Sequence, residues 1–481
     1  MPYPNPRSVL VALATPFALP AFLVLLLTIS AAWGEDTNMD TTGYTPRAVI
    51  LIIGDGMDDQ QISIARNYLK GAAGKLLLDT LPVRSAVGVL TVEDTVDGRP
   101  IYVADSANTA TSIATGAITS RGRIATTAGS DRDLVTIIEL ASAAGYRTGI
   151  VTTASVTDAT PAAFASHVNF RLCENPDAMV DIHYKSVYLG GCPDDLKANG
   201  GPGSIAEQLA SSGIDVILGG GRKHFEPQIE GGSVPVSTLA RQRGFQLLTT
   251  KQELSRVSPP GRVLGLFSAG SMPVRLQGQN GRQAEEAEPS LLNHLHDYIG
   301  DVTLPAPMSC EPNPEANTVP SLREMTDVAL DLLAHDNNRG FFLMVESASI
   351  DKQAHERKPC GSIGEMEQLD EALASALAYA DKHPRTLVIV TADHSQAAQL
   401  VPAQSLFAAY PVPIYSPGMI ARIQTPEGSL LVVNYATNNF SHEEHTGANV
   451  PLFSNGEGQG RVPAYAQQPE LFTIMREYLS L

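Results

Sequence analysis

The sequence predicts an α/β protein built on a central, mostly parallel sheet covered by helices on both faces, with loop-rich insertions. Three observations carry that expectation. Aliphatic runs alternate with segments of helical periodicity from residue 48 to residue 390, the pattern of successive β-α-β units. The principal runs are continuously apolar, as strands buried on both faces are. Several end in carboxylates, hydroxyls or imidazoles, and open parallel sheets bind ligands at the carboxyl ends of their strands.

The chain begins with one charged residue, Arg7, in its first 34, an apolar core from Ala21 to Leu27, and small residues at Ala32 and Gly34. That is the pattern of a secretory signal peptide cut before Glu35, a retained membrane anchor being the alternative. The expected product is an exported, periplasmic protein with one domain over residues 35–481 and no stable membrane insertion after cleavage. Cutting there would remove Trp33, the only tryptophan.

The first strand is expected over Ala48–Ile53, followed by Gly54-Asp55-Gly56-Met57 and a helix from about Asp58 to Leu69. Further helix and strand pairs are expected at Leu134–Ala144 with Thr148–Val151, and at Ile205–Ala210 with Asp215–Leu218. Two more follow, Leu322–Leu333 with Phe341–Val345 and Glu365–Ala380 with Leu387–Val390, before a terminal helix at Glu470–Leu479. Residues 223–320 are rich in Gly, Pro, Gln and Ser and are expected to form a peripheral loop region, with a second insertion between Ser395 and Asn439.

Hydrophobic residues make up 43% and charged residues 17%, a globular balance, while a net charge of -18 excludes a nucleic-acid scaffold as partner, which needs a broad basic surface. A small anion remains possible where metal ions or a few Lys and Arg concentrate positive charge. Export favours disulfides among Cys173, Cys192, Cys310 and Cys360. Three pairings are open. The local pair Cys173 with Cys192, leaving Cys310 with Cys360, is the starting assignment.

The segment Phe341–His355 carries the densest chemistry. Its strand ends at Glu346, and Asp351 and His355 follow at a spacing that puts both on one face of a helical turn, where they could bind one cation. Asp55, Asp158 with Thr160, Glu346 and Asp393-His394 lie at or beyond four strand ends and so would share one edge of the sheet. Asp105-Ser106 opens a helix of small residues ending near Gly116. Free N–H groups at such a helix start suit a phosphate, and a metal ion could activate the serine in place of a neighbouring base.

In this order the motifs resemble the alkaline phosphatase family, and most closely its enteric-bacterial type. They are Gly-Asp-Gly-Met at 54–57, Asp-Ser-Ala at 105–107, Thr-Asp-Ala-Thr-Pro-Ala-Ala at 157–163, Val-Glu-Ser-Ala-Ser-Ile-Asp-Lys-Gln-Ala-His at 345–355, Thr-Ala-Asp-His at 391–394 and His-Thr-Gly at 445–447. Leu218-Gly-Gly-Gly221 also looks like one of the family's structural turns. The resemblance spans roughly residues 48–480.

It implies an alkaline-phosphatase-like fold and a phosphomonoesterase of broad range that acts on small phosphate monoesters with two Zn2+ and one Mg2+ per chain. Asp351, His355 and His445 would bind the first zinc, which holds the attacking water. Asp55, Asp393 and His394 would bind the second, beside the nucleophile Ser106. Asp55 would also bridge to magnesium, with Thr160 and Glu346, and Asp158 belongs to the same metal set. Arg171 would bind phosphate, oriented by Asp105, and Lys352 would reach it through water. The resemblance also implies the Cys173–Cys192 and Cys310–Cys360 bridges and a homodimer. Asp58 stands where the family commonly has Gly, and is expected to be a solvated acid at a helix start. The rivals are a phosphodiesterase of the same superfamily and a periplasmic metal or phosphate binder without catalysis. A sulfatase is excluded because no Cys-x-Pro-x-Arg is present.

Overall fold

The computed structural model of the chain describes residues 46–184, 186–296, 298–403 and 417–481. The expected signal segment, residues 1–34, lies outside the described residues, as does part of the insertion between Ser395 and Asn439. The aliphatic run after Pro46 forms β1 (Arg47–Gly54), and Ala48–Ile53 is buried throughout. Each Ile or Leu so buried contributes about 1.5–3 kcal/mol, which makes β1 a fixed platform for the turn that carries Asp55.

Nine more strands join β1 in one sheet: β2 (Val83–Gly88), β3 (Arg147–Ser155), β4 (Val216–Gly220), β5 (Phe245–Leu248), β6 (Arg262–Leu266), β7 (Gly340–Ser347), β8 (Thr386–Ala392), β9 (Val450–Ser454) and β10 (Tyr465–Gln467). Their spatial order is β10-β2-β9-β8-β1-β7-β3-β4-β6-β5. All neighbours pair in parallel except β9, which runs antiparallel to β8 and β2. The helices include α1 (Asp59–Lys70), α2 (Ser106–Thr115), α3 (Ile137–Ala143), α4 (Ala159–Ala163), α5 (Ile205–Ser211), α6 (Leu322–Ala334), α7 (Ser349–His355), α8 (Pro359–Lys382) and α9 (Gln468–Leu479). Helix α8 packs with α1 and α6, α9 packs with α2 and α3, and β1 touches both α8 and α9. The expected α/β architecture is therefore present, and α8 begins earlier than expected because Pro359 is suited to a helix's first turn.

One expectation is overturned. The stretch 223–320 is not wholly peripheral, since β5 and β6 complete an edge of the main sheet and Val263, Leu264 and Leu266 are buried. Strands of four and five residues are too short to show a period against the Gly- and Pro-rich sequence around them. The rest of that stretch supplies small paired strands, including Glu285–Glu286, which extends a four-stranded sheet with Gln399–Val401, Met419–Gln424 and Leu430–Tyr435. Both disulfides take the local pairing, Cys173–Cys192 and Cys310–Cys360. Among the described residues, no helix is long and apolar enough to cross a membrane.

Candidate active site

The four adjacent strands β8, β1, β7 and β3 point their carboxyl ends the same way and stand in register. Gly54 pairs with both Ser347 and Ala392, so Asp55 and Asp393, each one residue further on, emerge at the same level. Glu346 lies opposite Thr152 on β3, and the Thr152 hydroxyl donates to its carboxylate. The turn after β7 winds straight into α7, which presents Asp351, Lys352 and His355.

Ser106 is the first residue of α2 and is buried at the base of the site. Asp105 caps this helix, accepting from Asn108 N at 3.1 Å, while the Asn108 side chain accepts from Asp105 N at 2.9 Å. Helix α2 is made of small residues because it packs closely on α4 and α9, and Gly116 ends it with φ 75°. Ser106 Oγ sits 3.0 Å from His394 Nε2.

Two carboxylates converge on that same nitrogen: Asp55 Oδ1 and Asp393 Oδ2, each at 3.4 Å. Both oxygens are buried and make no hydrogen bond. The other Asp393 oxygen is occupied, accepting from His394 N at 2.8 Å and Gly56 N at 3.0 Å. Next to this group, His445 Nε2 lies 3.0 Å from His355 Nε2 and 3.3 Å from Asp351 Oδ1, and His355 Nε2 is 3.2 Å from Asp351 Oδ2. His355 Nδ1 meets Glu443 O and His445 Nδ1 meets Ala104 O at 2.8 Å. Protonation at Nδ1 leaves the Nε2 lone pairs facing each other, as imidazole ligands of one ion do.

The residues present fit metal ions. Asp55, Asp393 and His394 offer atoms within 4.8 Å of one another, and so do Asp351, His394 and His445. Ligand atoms about 2.0–2.2 Å from a tetrahedral zinc stand about 3.3 Å apart, close to the separations observed. Orphaned buried oxygens are costly unless a cation answers them.

The electrostatics of these groups follow from their burial and their neighbours. Burial, then the charges of Asp393 and Asp351, push the Asp55 carboxyl well above its ordinary range. Burial also raises Asp393 to about 6 and Glu346 to about 7. His394 is pushed well down by burial and by His445. Asp351 goes the other way, held low against its burial by His355 and His445, and His355 rises to about 9 beside it despite its own burial.

The other half of the site supplies its own cations. Arg171 donates to Asp105 Oδ2 at 3.2 Å and to Asp158 Oδ1 at 3.1 Å, and Lys352 Nζ donates to Asp158 Oδ2 at 2.5 Å. Against its burial, Lys352 and Arg171 hold Asp158 far below the usual carboxylate range. Thr160, buried in α4, hydrogen-bonds Glu346. Asp158, expected in the metal set, thus has both oxygens engaged by side-chain cations, and it belongs to neither cluster of three above.

A sequence profile for the family described as Alkaline phosphatase matches residues 46–438. Over 476 residues the chain is 40% identical to streptomycin-6-phosphate phosphatase of Streptomyces griseus, covering 95% of this chain and 96% of the relative. It is 39% identical to alkaline phosphatase of Escherichia coli K12 over 441 residues, 90% of this chain and 86% of that one. The chain belongs to the alkaline phosphatase family. It is an enzyme, a phosphoric monoester hydrolase. Its fold is also that of two solved alkaline phosphatases, from the Antarctic bacterium TAB5 (TM-score 0.62, 21% identity, 91% of this chain and 99% of that one) and from Thermus thermophilus (0.62, 20%, 94% and 96%).

Several residues of this alkaline phosphatase site escaped the sequence pattern. Gln396 Nε2 donates to Asp351 Oδ1 at 2.5 Å. Glu443 is fully buried, its carboxylate accepting from Arg357 Nε at 2.6 Å while its carbonyl meets His355. Of these, Glu443 alone carried a signal, lying two residues before His445. Asp58 is a correction: it is not solvated but 5% exposed, capping α1 through Gln60 N and Gln61 N at 2.9 Å. Burial raises its carboxyl to about 6.

Proposed function

We propose that the chain releases inorganic phosphate from a broad range of monoesters through a phosphoserine on Ser106, at a site for two zinc ions and one magnesium within a single catalytic domain over residues 35–481. The observation that carries this is the gathering of Ser106 Oγ, Asp55 Oδ1 and Asp393 Oδ2 around one nitrogen of His394. In a Ser-His-Asp triad the carboxylate sits on the far ring nitrogen. Here both carboxylates share the serine's side, and one proton at Nε2 cannot serve three acceptors, whereas a cation among them can.

Asp55, Asp393 and His394 would hold one zinc, and Asp351, His355 and His445 the other. Asp55, Thr160 and Glu346 would hold magnesium, with Asp158 kept beside them by Arg171 and Lys352. Bound there, the metals supply Lewis-acid charge that favours ionised serine and water and stabilises the phosphoryl oxygens. Ser106 attacks phosphorus in line and the alcohol leaves with a proton; water then displaces Ser106, which regains one, and inorganic phosphate departs. The first N–H groups of α2 and the remaining N–H groups of Arg171 receive the phosphoryl oxygens, while Asp105 and Asp158 fix the guanidinium plane. Lys352, anchored on Asp158, reaches the phosphate through water. Binding centred on the phosphoryl group leaves the alcohol free to vary, and the name of the Streptomyces griseus relative adds streptomycin 6-phosphate to the esters to assay.

Incubation with radiolabelled phosphate and denaturation in acid should leave label on the Ser106 peptide and none in Ser106→Ala. Undiminished turnover by Ser106→Ala, or faster cleavage of an aryl methyl diester than of the aryl monoester, would overturn the reading. It extends to an exported, periplasmic homodimer freed of residues 1–34, which the mass of the mature chain and its sedimentation check.

A further inference from the structure

Behind the Arg171–Asp158 pair lies a polar chain that the mechanism does not use. Ser155 Oγ lies 2.7 Å from Thr157 Oγ1, which donates to Glu174 Oε2 at 2.6 Å. The same carboxylate oxygen is 3.1 Å from His224 Nε2. Ser155, Thr157 and His224 are buried. His224 arrives on the turn after β4, whose Gly221 has φ 93° and lies so close to β3 that a β-carbon would run into Ser155 Oγ. The triple glycine at 219–221 is therefore the device that brings His224 against Glu174.

The hydrogen-bond roles can be assigned. Asn175 Oδ1 accepts from Asp177 N at 3.0 Å, so Asn175 Nδ2 is the atom that faces His224 Nδ1 at 2.9 Å and donates to it. His224 then carries its proton on Nε2 and donates to Glu174. Burial, followed by Lys223, lowers His224 to about 4, in keeping with a neutral ring. Glu174 itself is fixed from behind, since its carbonyl accepts from Ala206 N at 2.9 Å and the neighbouring Cys173 is bridged to Cys192.

The consequence lies in chain position. Thr157 immediately precedes Asp158, and Glu174 follows Arg171 by three residues. The Thr157–Glu174 hydrogen bond thus ties together the two loops that carry the two ends of the Asp158–Arg171 pair. We propose that Glu174, held by His224, is a positioning residue that sets the Arg171 guanidinium for the phosphoryl group. This rests on the phosphatase reading above. It assigns to Glu174 and His224 no contact with substrate.

The test uses the zinc- and magnesium-loaded enzyme. Glu174→Ala should raise KM for p-nitrophenyl phosphate and the inhibition constant of inorganic phosphate about tenfold, with kcat changed far less, because misplacing a clamp weakens what it holds. Glu174→Gln keeps an oxygen for Thr157 and His224 and should restore most of the loss. Thr157→Val, which removes one hydrogen bond, should give a smaller shift of the same kind, and adding His224→Ala to Glu174→Ala should add little. Calorimetric titration of metal-loaded Ser106→Ala with inorganic phosphate, with and without Glu174→Ala, reads the same affinity without turnover. If the phosphoserine reading alone failed, the unaltered enzyme would take no label while this affinity difference persisted. Phosphate affinity unchanged in Glu174→Ala and Thr157→Val, with only the melting temperature lowered, would show mere packing and overturn the proposal.

Discussion

Two parts of the site hold carboxylates in opposite electrostatic states. Around Arg171 and Lys352, Asp158 has side-chain cations on both oxygens and sits far below its ordinary range. Around His394, Asp55 and Asp393 each keep a buried oxygen without a partner, and both carboxyls are pushed up. Asp158 is only partly buried and Asp55 and Asp393 are wholly so, but the opposite directions follow from whether the chain provides positive charge. Where it does, the site is organised for an anion. Where it does not, the site is organised for cations from outside, and the two meet at Ser106.

The most severe way to break this division is at the meeting point. Ser106→Ala should lower kcat by a factor on the order of 10⁴ or more, with zinc content by elemental analysis unchanged. In the self-sufficient half, Arg171→Lys should raise KM and lower kcat/KM by about 10- to 100-fold, because an ammonium lacks the paired donors; steady-state kinetics checks this.

The metal half should show itself in the pH dependence of stability. In chelated protein, Glu346 at about 7 and Asp393 at about 6 lie above unfolded carboxyls, so the folded state binds protons more tightly and gains stability as pH falls from about 8 toward 4. In metal-loaded protein the same protons compete with the ions and stability is lost over that range. The gap in melting temperature between loaded and chelated protein should therefore shrink from pH 8 to pH 5. A gap that widened would mean the orphaned oxygens hold no metal. The smallest effect is expected at Asp58, whose raised carboxyl also costs stability above pH 6. Asp58→Asn keeps an oxygen for the α1 cap and should raise the melting temperature by about 2–4 °C at pH 8, an increment that disappears near pH 4.

The same physics decides how much of the molecule was legible in its sequence. The strands that carry Asp55, Glu346 and Asp393 could be read because a strand buried on both faces must be apolar without interruption, so a carboxylate at its end stands out. The strands β5 and β6 were hidden by their shortness. Asp58 was misjudged because a helix-start acid is usually solvated, and only the packing of the turn after β8 against α1, where Gln396 N approaches Asp58, closes it off. Glu174 and His224 lie 50 positions apart with no shared period. Nothing short of the fold, with Gly221 lying on Ser155, brings them together.

The antiparallel strand β9 has a consequence for how the molecule is made. Asp55 follows the first strand of the sheet and His445 stands just before β9, so the candidate metal-ligating residues are spread over nearly the whole chain. A growing chain presents only fragments of the site until its last stretch has been synthesised, and closing so long a loop is slow. On the proposed function, metal capture is then a late event in biogenesis, and an incomplete chain would have no finished centre with which to hold the ions.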